Sequence, residues 1–346
     1  MGAGDAAFTV GISHDFVAPG SPTTWGDIGL AELTGAGTTW RFLPEDAGEL
    51  VPETIDGYDA VLFGTPSITR RTVSGSRPPL VLARFGVGLD AVDLDACTEA
   101  GVAVTITPDG ARRAVATAAL TLILAASHNL LAKDRLVRNG DWTSRSSLMG
   151  RGLSGRRVGA FGLGNVALEL FHLLTPFGTT NLATDPHRSP EEAAAHGVRL
   201  VDLPELMSGC DIIVVTAALT TDTHRAIDAD MLALVRPGAI LINVARGAII
   251  DTAALVGALT NGQLAAAGLD VVDPEPLPHG HPLLELANVV LAPHALAWTD
   301  EMARGNGASA IKAILDIRAG RVPEHLANPA VLEHSRLRDR LAVISR

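Results

Sequence analysis

The chain has 346 residues, 47% of them hydrophobic, and a formal net charge of −11. That length allows two domains with sizeable cores. An acidic chain without a long basic run is a poor match to nucleic acid, whose phosphate backbone demands clustered Lys and Arg, so a small-molecule ligand is expected.

Two cysteines, Cys97 and Cys210, stand in no CxxC or Cys/His ligand spacing. They read as core thiols of a protein in a reducing compartment, and no metal site is expected. Met1 to Val10 has no basic segment followed by an apolar core. Gly2 is followed by Ala6 where a myristoylation signal has Ser or Thr. The longest apolar stretch, Ala114 to Ala126, falls short of the ~20 residues that a membrane span requires. A soluble, cytoplasmic protein without a membrane partner is the expectation.

In chain order, short apolar runs predict strands at Phe8–Ile12, Ala60–Gly64, Leu80–Arg84, Val158–Phe161, Ile212–Thr216, Ile240–Val244, Ala265–Asp270 and Val289–Ala292. Alanine-rich helical stretches lie between them, which is the alternation of an α/β fold with parallel sheets. Ala111 to Leu131 reads as one long helix, too hydrophobic for a free surface and placed to bridge two domains. A last helix, about Thr299 to Ala319, would return the chain to the first domain. Before about residue 106 the connections are irregular and rich in Gly, Pro and Thr. From Gly155 to Pro293 the alternation is regular, so a dinucleotide-type domain is expected in the middle of the chain.

That middle segment opens with Val158-Gly159-Ala160-Phe161-Gly162-Leu163-Gly164-Asn165-Val166-Ala167, an apolar strand running into GxGxxA and then a helical pattern. Gly162 allows the tight turn, Gly164 lets the backbone approach a pyrophosphate, and Ala167 lets helix and strand pack closely. The helix N-terminus, at Asn165 and Val166, presents amides to an anion. A glycine turn alone is weak evidence. Further on, Asp185 follows the apolar pair Leu182-Ala183 and is the acidic residue suited to the adenosine ribose hydroxyls. Its charge favours NAD over NADP, although His187 and Arg188 follow at once.

Three further strand-like runs end in reactive side chains. Ile240–Val244 leads to Arg246, whose planar fork suits a carboxylate; it reads equally as a surface arginine pairing with Asp251. Val289–Ala292 leads to Pro293-His294, and histidine exchanges a proton near neutral pH. Glu275, between Pro274 and Pro276, reads either as the carboxylate that orients that ring and favours its charged form or as a solvated turn residue.

These motifs, with Arg84-Phe85-Gly86-Val87-Gly88-Leu89-Asp90-Ala91-Val92-Asp93, Leu153-Ser154-Gly155, Val244-Ala245-Arg246-Gly247, Asp270-Val271, Glu275-Pro276 and Pro293-His294 in order, resemble the D-isomer-specific 2-hydroxyacid dehydrogenase family from about Leu80 to Asn328. The resemblance implies two Rossmann-like domains, a doubly wound parallel-sheet NAD domain (108–298) inserted in a flavodoxin-like substrate domain (1–107 and 299–346), and a homodimer formed through the Ala111–Gly150 region. It implies Arg246 as anchor of the substrate carboxylate and carbonyl, His294 as acid and base, Glu275 as its partner, and the amides of Val87 and Gly88 as carboxylate donors. Asp270 is implied to meet the nicotinamide amide, with Ala217, Ala245 and His294 beside the cofactor.

Two positions depart from the usual pattern. Val115-Ala116-Thr117 replaces Val-Ala-Glu in the bridging helix, and Thr216-Ala217-Ala218-Leu219 lacks the common proline. Trp298 reads equally as a wall of the substrate pocket and as packing. The expected activity is NAD-dependent hydride transfer at C2 of a D-2-hydroxy acid or 2-keto acid of the glyoxylate or hydroxypyruvate type. The alternatives are a phosphoglycerate-type dehydrogenase, with Arg70, Arg71 and Arg77 as candidate phosphate ligands, and a non-catalytic NAD-sensing protein.

Overall fold

The computed structural model describes residues 8–344. Most of the N-terminal stretch on which the absence of a leader or acylation signal was judged, residues 1–7, lies outside them. The chain forms two compact units, 1–111 with 298–346, and 112–297.

The first unit is built on five strands, β1 (Thr9–Ile12), β2 (Thr39–Phe42), β3 (Ala60–Phe63), β4 (Val81–Arg84) and β5 (Ala103–Thr105). All neighbours pair in parallel, in the order β2-β1-β3-β4-β5, the flavodoxin-like winding. The central strand β3 is buried on both faces, as a parallel strand covered by helices requires. Val61, Phe63, Leu82 and Val104 gather with Leu50, Ile55 and Cys97 in this unit's core.

The second unit has seven strands, β6 (Arg157–Phe161), β7 (Thr180–Thr184), β8 (Val198–Leu200), β9 (Ile212–Val215), β10 (Ala239–Asn243), β11 (Leu264–Leu269) and β12 (Val289–Leu291). They are parallel in the order β12-β11-β10-β9-β6-β7-β8. The chain winds outward from β6 in one direction through β8 and then in the other from β9 to β12. The strand order therefore reverses between β6 and β9, the place where open α/β sheets form a ligand crevice.

All eight predicted strands are present, shifted at their ends by one residue or so. Four strands are additional. β2 alternates exposed and half-buried residues, β5 and β8 are three residues long, and β7 begins and ends in threonine; none carries a continuous apolar run. The predicted single helix over Ala111–Leu131 is corrected. A helix runs over Pro108–Ser127, the chain turns at Asn129 with a left-handed φ of 52°, and a second helix covers Leu130–Arg138. Asn tolerates that conformation at low cost, and the two helix axes meet at 58°. Ala116, Ala119, Leu122 and Ile123 of the longer helix are buried in the second unit's core. The last predicted helix spans Asp300–Arg318, capped by the Thr299 side chain, which accepts from the Met302 amide at 3.1 Å. No single helix among the described residues is long and apolar enough to cross a membrane.

Cys97 and Cys210 are fully buried, and burial, with help from the charges of Asp93 and Asp211 respectively, pushes both thiols up to about 12. Reactivity belongs to the thiolate. In the native protein at pH 8 neither thiol is therefore expected to react with a thiol reagent such as DTNB within an hour, whereas both react on unfolding in guanidinium. Titration of either one in the folded chain would contradict this packing.

Candidate active site

The carboxyl ends of six neighbouring strands in the second unit carry the residues singled out in the sequence. Taken across the sheet they run Asp185 after β7, the glycine turn after β6, Ala217 after β9, Ala245 and Arg246 after β10, Asp270 and Glu275 after β11, and His294 after β12. Adjacent strands lie about 4.8 Å apart, so this rim is long enough for an extended dinucleotide with a reacting group at its β10–β12 end.

At the β6 end, Gly162 has a φ of 98°, and a Cβ placed on it would lie 2.7 Å from the backbone of Ala217. Thr216 Oγ1 donates to the Gly162 carbonyl at 2.8 Å. A Cβ on Gly164 would meet nothing within 4 Å, so its backbone faces open space at the start of the helix Asn165–Leu174. Asp185 takes the Leu163 amide at 2.7 Å on one oxygen and the His187 amide at 2.8 Å on the other, which ties the β7 loop to the glycine turn. Each oxygen keeps a further lone pair for a hydroxyl donor. Beside it, Leu163, Leu168, Arg188, Glu192, Ala193, Ala195 and His196 line a cavity of about 240 Å³. Turn, free helix amides and carboxylate together fit the pyrophosphate and ribose of a dinucleotide.

At the other end the loops are cross-tied. Buried Asn243 accepts from the Ala245 amide at 3.0 Å and donates to the Arg246 carbonyl at 2.9 Å, fixing the loop that carries Arg246. Arg246 Nη1 donates to the Ala245 carbonyl at 2.7 Å. Asp251, the alternative partner considered for Arg246, caps the following helix by accepting from Ala254 N at 2.9 Å. Gly247 packs so closely on the Val272 carbonyl that no Cβ fits. That contact brings the Arg246 loop against the segment leading to Glu275. Both peptide bonds Asp273-Pro274 and Glu275-Pro276 are cis.

His294 Nδ1 lies 3.0 Å from Glu275 Oε1, with the two side chains 47% and 40% exposed. Glu275 thus contacts the histidine, and both side chains remain partly exposed. His294 also has a left-handed φ of 55°, a conformation that costs energy for a residue with a Cβ. Asp270 holds it there. Its carbonyl accepts from His294 N at 2.7 Å, and its buried carboxylate accepts from the amides of Ala295 and Leu296, both at 3.1 Å. Asp270 and Asn243 as loop anchors went unread in the sequence. A buried polar residue at the last turn of an apolar strand was the available signal.

Val87 and Gly88 belong to the first unit, in the turn after β4. Gly86 has a φ of 139°, and the turn is pinned by Gly86 N donating to Thr107 Oγ1 at 2.8 Å and Thr107 N to the Gly86 carbonyl at 3.0 Å. Neither the Val87 nor the Gly88 amide donates to a protein acceptor among the described residues. Of the arginines considered for a phosphate, Arg70 pairs with Glu99 at 2.5 Å, Arg71 lies 3.9 Å from Glu53, and Arg77 lies 3.4 Å from Asp59.

A glycine turn at the switch point, an acidic residue one strand away and an ordered His–Glu pair on the same rim define a dinucleotide-binding α/β protein. Residues 120–295 match the model of the D-isomer specific 2-hydroxyacid dehydrogenase, NAD binding domain. The D-3-phosphoglycerate dehydrogenase of Mycobacterium bovis is 41% identical over 244 residues, 70% of this chain and 46% of that protein, so the chain spans about half the length of that relative. The glyoxylate reductase of Thermococcus onnurineus is 34% identical over 300 residues, 85% of this chain and 90% of its own length. Among solved structures, a glyoxylate reductase from Paecilomyes thermophila superposes with a TM-score of 0.79 at 25% identity, over 93% of this chain and 98% of that one. The chain belongs to the D-isomer-specific 2-hydroxyacid dehydrogenase family, and its second unit holds the family's NAD-binding domain.

A ribose bound at the Asp185 carboxylate would bring a 2′-phosphate against like charge. Asp185→Asn is expected to narrow the preference for NADH over NADPH by at least about tenfold in a fluorescence titration. An unchanged ratio would remove Asp185 from the ribose site.

Proposed function

We propose that this chain is an NAD-dependent oxidoreductase that moves the C2 hydride between the cofactor and a small D-2-hydroxy acid or its 2-keto acid, of the glyoxylate or hydroxypyruvate type. The His294–Glu275 contact carries this reading, because an oriented histidine beside the strand end that bears Arg246 is a proton-transfer device with a carboxylate anchor next to it. Support for the small-substrate class comes from the Thermococcus relative, which matches over nearly its whole length, and from the ion pairs that occupy Arg70 and Arg77. The phosphoglycerate-type alternative draws on the higher identity of the mycobacterial relative and is separated from it by substrate tests. Retention of Arg246, Glu275 and His294 weighs against the non-catalytic NAD-sensing alternative.

In this reading the second unit is the cofactor domain and the first the substrate domain. Bound NAD supplies the hydride acceptor at its nicotinamide ring. Gly162, Gly164 and the amides of Asn165 and Val166 would hold the pyrophosphate, Asp185 the ribose, and Ala217, Ala245 and Asp270 would line the route to the nicotinamide. Arg246 and the amides of Val87 and Gly88 bind the substrate carboxylate, and Arg246 also polarises the C2 oxygen. During oxidation His294 takes the hydroxyl proton as the C2 hydride departs; in reduction the charged ring returns it, with Glu275 fixing the tautomer.

Purified protein should consume NADH with glyoxylate or hydroxypyruvate. His294→Ala is expected to lower kcat by about a hundredfold or more, and Arg246→Ala to raise KM and lower kcat together. Normal kinetics in both variants would sink the assignment.

We further propose a cytoplasmic homodimer. Leu130, Val137, Trp142 and Met149 are each more than half exposed within one short stretch of the chain, and clustered apolar exposure marks an interaction surface. Met149→Asp combined with Trp142→Asp should convert a dimer to a monomer in light scattering, and a wild-type protein that is monomeric at micromolar concentration would refute it.

A further inference from the structure

At the carboxyl rim of the first unit's sheet, β1, β3 and β4 end side by side. The chain leaving β4 carries Phe85 and then the Gly86-Val87-Gly88 turn. The chain leaving β1 carries Ser13, Asp15 and Phe16. The Asp15 carboxylate folds over the end of β3: it accepts from Thr65 N at 2.7 Å, from Thr65 Oγ1 at 3.1 Å and from Ser13 Oγ at 2.5 Å. It leaves no room for a Cβ at Gly64. Three donors do not fill two carboxylate oxygens, so one acceptor position on Oδ1 remains.

Around it stands an aromatic wall. Phe16 meets Phe85 edge-on at 5.2 Å between ring centroids, Trp25 lies 5.2 Å from Phe85, and Trp298 meets Trp25 at 4.4 Å. Trp298 is 54% exposed and follows His294 by four residues in the chain. Arg84, the last residue of β4, turns its Nε to the Gly88 carbonyl at 3.1 Å and its guanidinium over the Phe63 ring at 5.4 Å. A carboxylate, Asp15, thus stands at the ends of these strands, next in the chain to Phe16 of the aromatic group.

We propose that Asp15 selects the substrate: its carboxylate accepts a hydrogen bond from a hydroxyl on C3 of a 3-hydroxy-2-keto acid and repels a phosphate at that position. This rests on the reading above, in which Val87 and Gly88 hold the substrate's C1 carboxylate. The turn after β4 and the end of β3 are one strand spacing apart, about 4.8 Å, which is close to the reach of a three-carbon acid from its carboxylate to an oxygen on C3. The joined rings of Phe85, Trp25 and Trp298 would limit the room for longer chains. The class selected is hydroxypyruvate-like, ahead of pyruvate, which offers no C3 hydroxyl, and ahead of phosphohydroxypyruvate, which brings like charge to a carboxylate.

The test is kcat/KM for hydroxypyruvate, pyruvate, phosphohydroxypyruvate and 2-ketoisocaproate with NADH, in the wild-type protein, Asp15→Asn, Asp15→Ala and Trp298→Ala. Ratios between substrates are the readout, because a loop-tying role alone lowers all four together and leaves the ratios fixed. Wild type is expected to favour hydroxypyruvate over each of the others. Asp15→Asn, which keeps an acceptor for Thr65 but loses the charge, should raise phosphohydroxypyruvate relative to hydroxypyruvate at least tenfold. Asp15→Ala should lower hydroxypyruvate relative to pyruvate by a similar factor, and Trp298→Ala should raise 2-ketoisocaproate relative to hydroxypyruvate. Unchanged ratios in the Asp15 variants, with NADH binding intact, would overturn the proposal while leaving the dehydrogenase reading standing, as would a wild-type preference for phosphohydroxypyruvate. Turnover of glyoxylate with none of the four would overturn the proposal alone, and no turnover of the four or of glyoxylate would overturn both.

Discussion

The buried carboxylate of Asp270 is the interaction on which the reactive end of the second unit depends. It sits at the end of β11, between the loop that carries Arg246 and the loop that carries His294. Its backbone N–H donates to the Asn243 carbonyl at 3.0 Å, while its own carbonyl and its side chain together take three amides of the His294–Leu296 segment. A buried carboxylate without partners is costly, and one that accepts several amides is well compensated. The same bonds hold His294 in a left-handed conformation that its side chain disfavours. The strain at the histidine and the charge at the aspartate are thus stabilised by one set of hydrogen bonds. Substituting Asp270 would therefore release the segment that carries His294.

The sheet converts that local arrangement into a working order. Parallel pairing with every strand in one direction sends all carboxyl ends to a single rim, and the reversal between β6 and β9 leaves a gap where helix N-termini diverge. The glycine turn falls at that gap, and the reactive loops fall two, three and four places further along the same rim. Short loops suffice because the strands already do the placing. The contact of Gly247 with Val272 is the point at which a side chain would push two of these loops apart.

Much of this was readable in the residues because it is local. Buried parallel strands are continuous apolar runs, so β3, β9 and β10 announce themselves, and the GxGxxA turn with Asp185 beyond it carries its own geometry. β2, β5, β7 and β8 did not: β2 and β8 are edge strands with exposed residues, β5 is only three residues long, and the inner strand β7 has its one apolar pair, Leu182-Ala183, between polar residues. The bend at Asn129 was hidden for a related reason: the apolar pattern continues across it, from Ala126 to Leu130 and Leu131, and one left-handed residue leaves no mark on periodicity. The partnership of Glu275 with His294 joins residues 19 apart, and the anchoring by Asp270 spans about 25. Such contacts are set by strand order rather than by spacing, so they were visible only as candidates.

The exposure of the His294–Glu275 pair has a consequence for how it acts. With both side chains open to water, the attraction between Glu275 and a protonated His294 is worth about 1 kcal/mol or less, as for other solvent-exposed ion pairs. The hydrogen bond at 3.0 Å then serves chiefly to aim the ring. When a ligand excludes water the effective dielectric constant falls and the same pair interacts several times more strongly. In the proposed reaction, the proton held by His294 and the charge of Glu275 would couple most tightly at the moment when the C2 oxygen changes its charge. Water exclusion by the substrate and cofactor would thus complete the electrostatics that the strand ends only prepare.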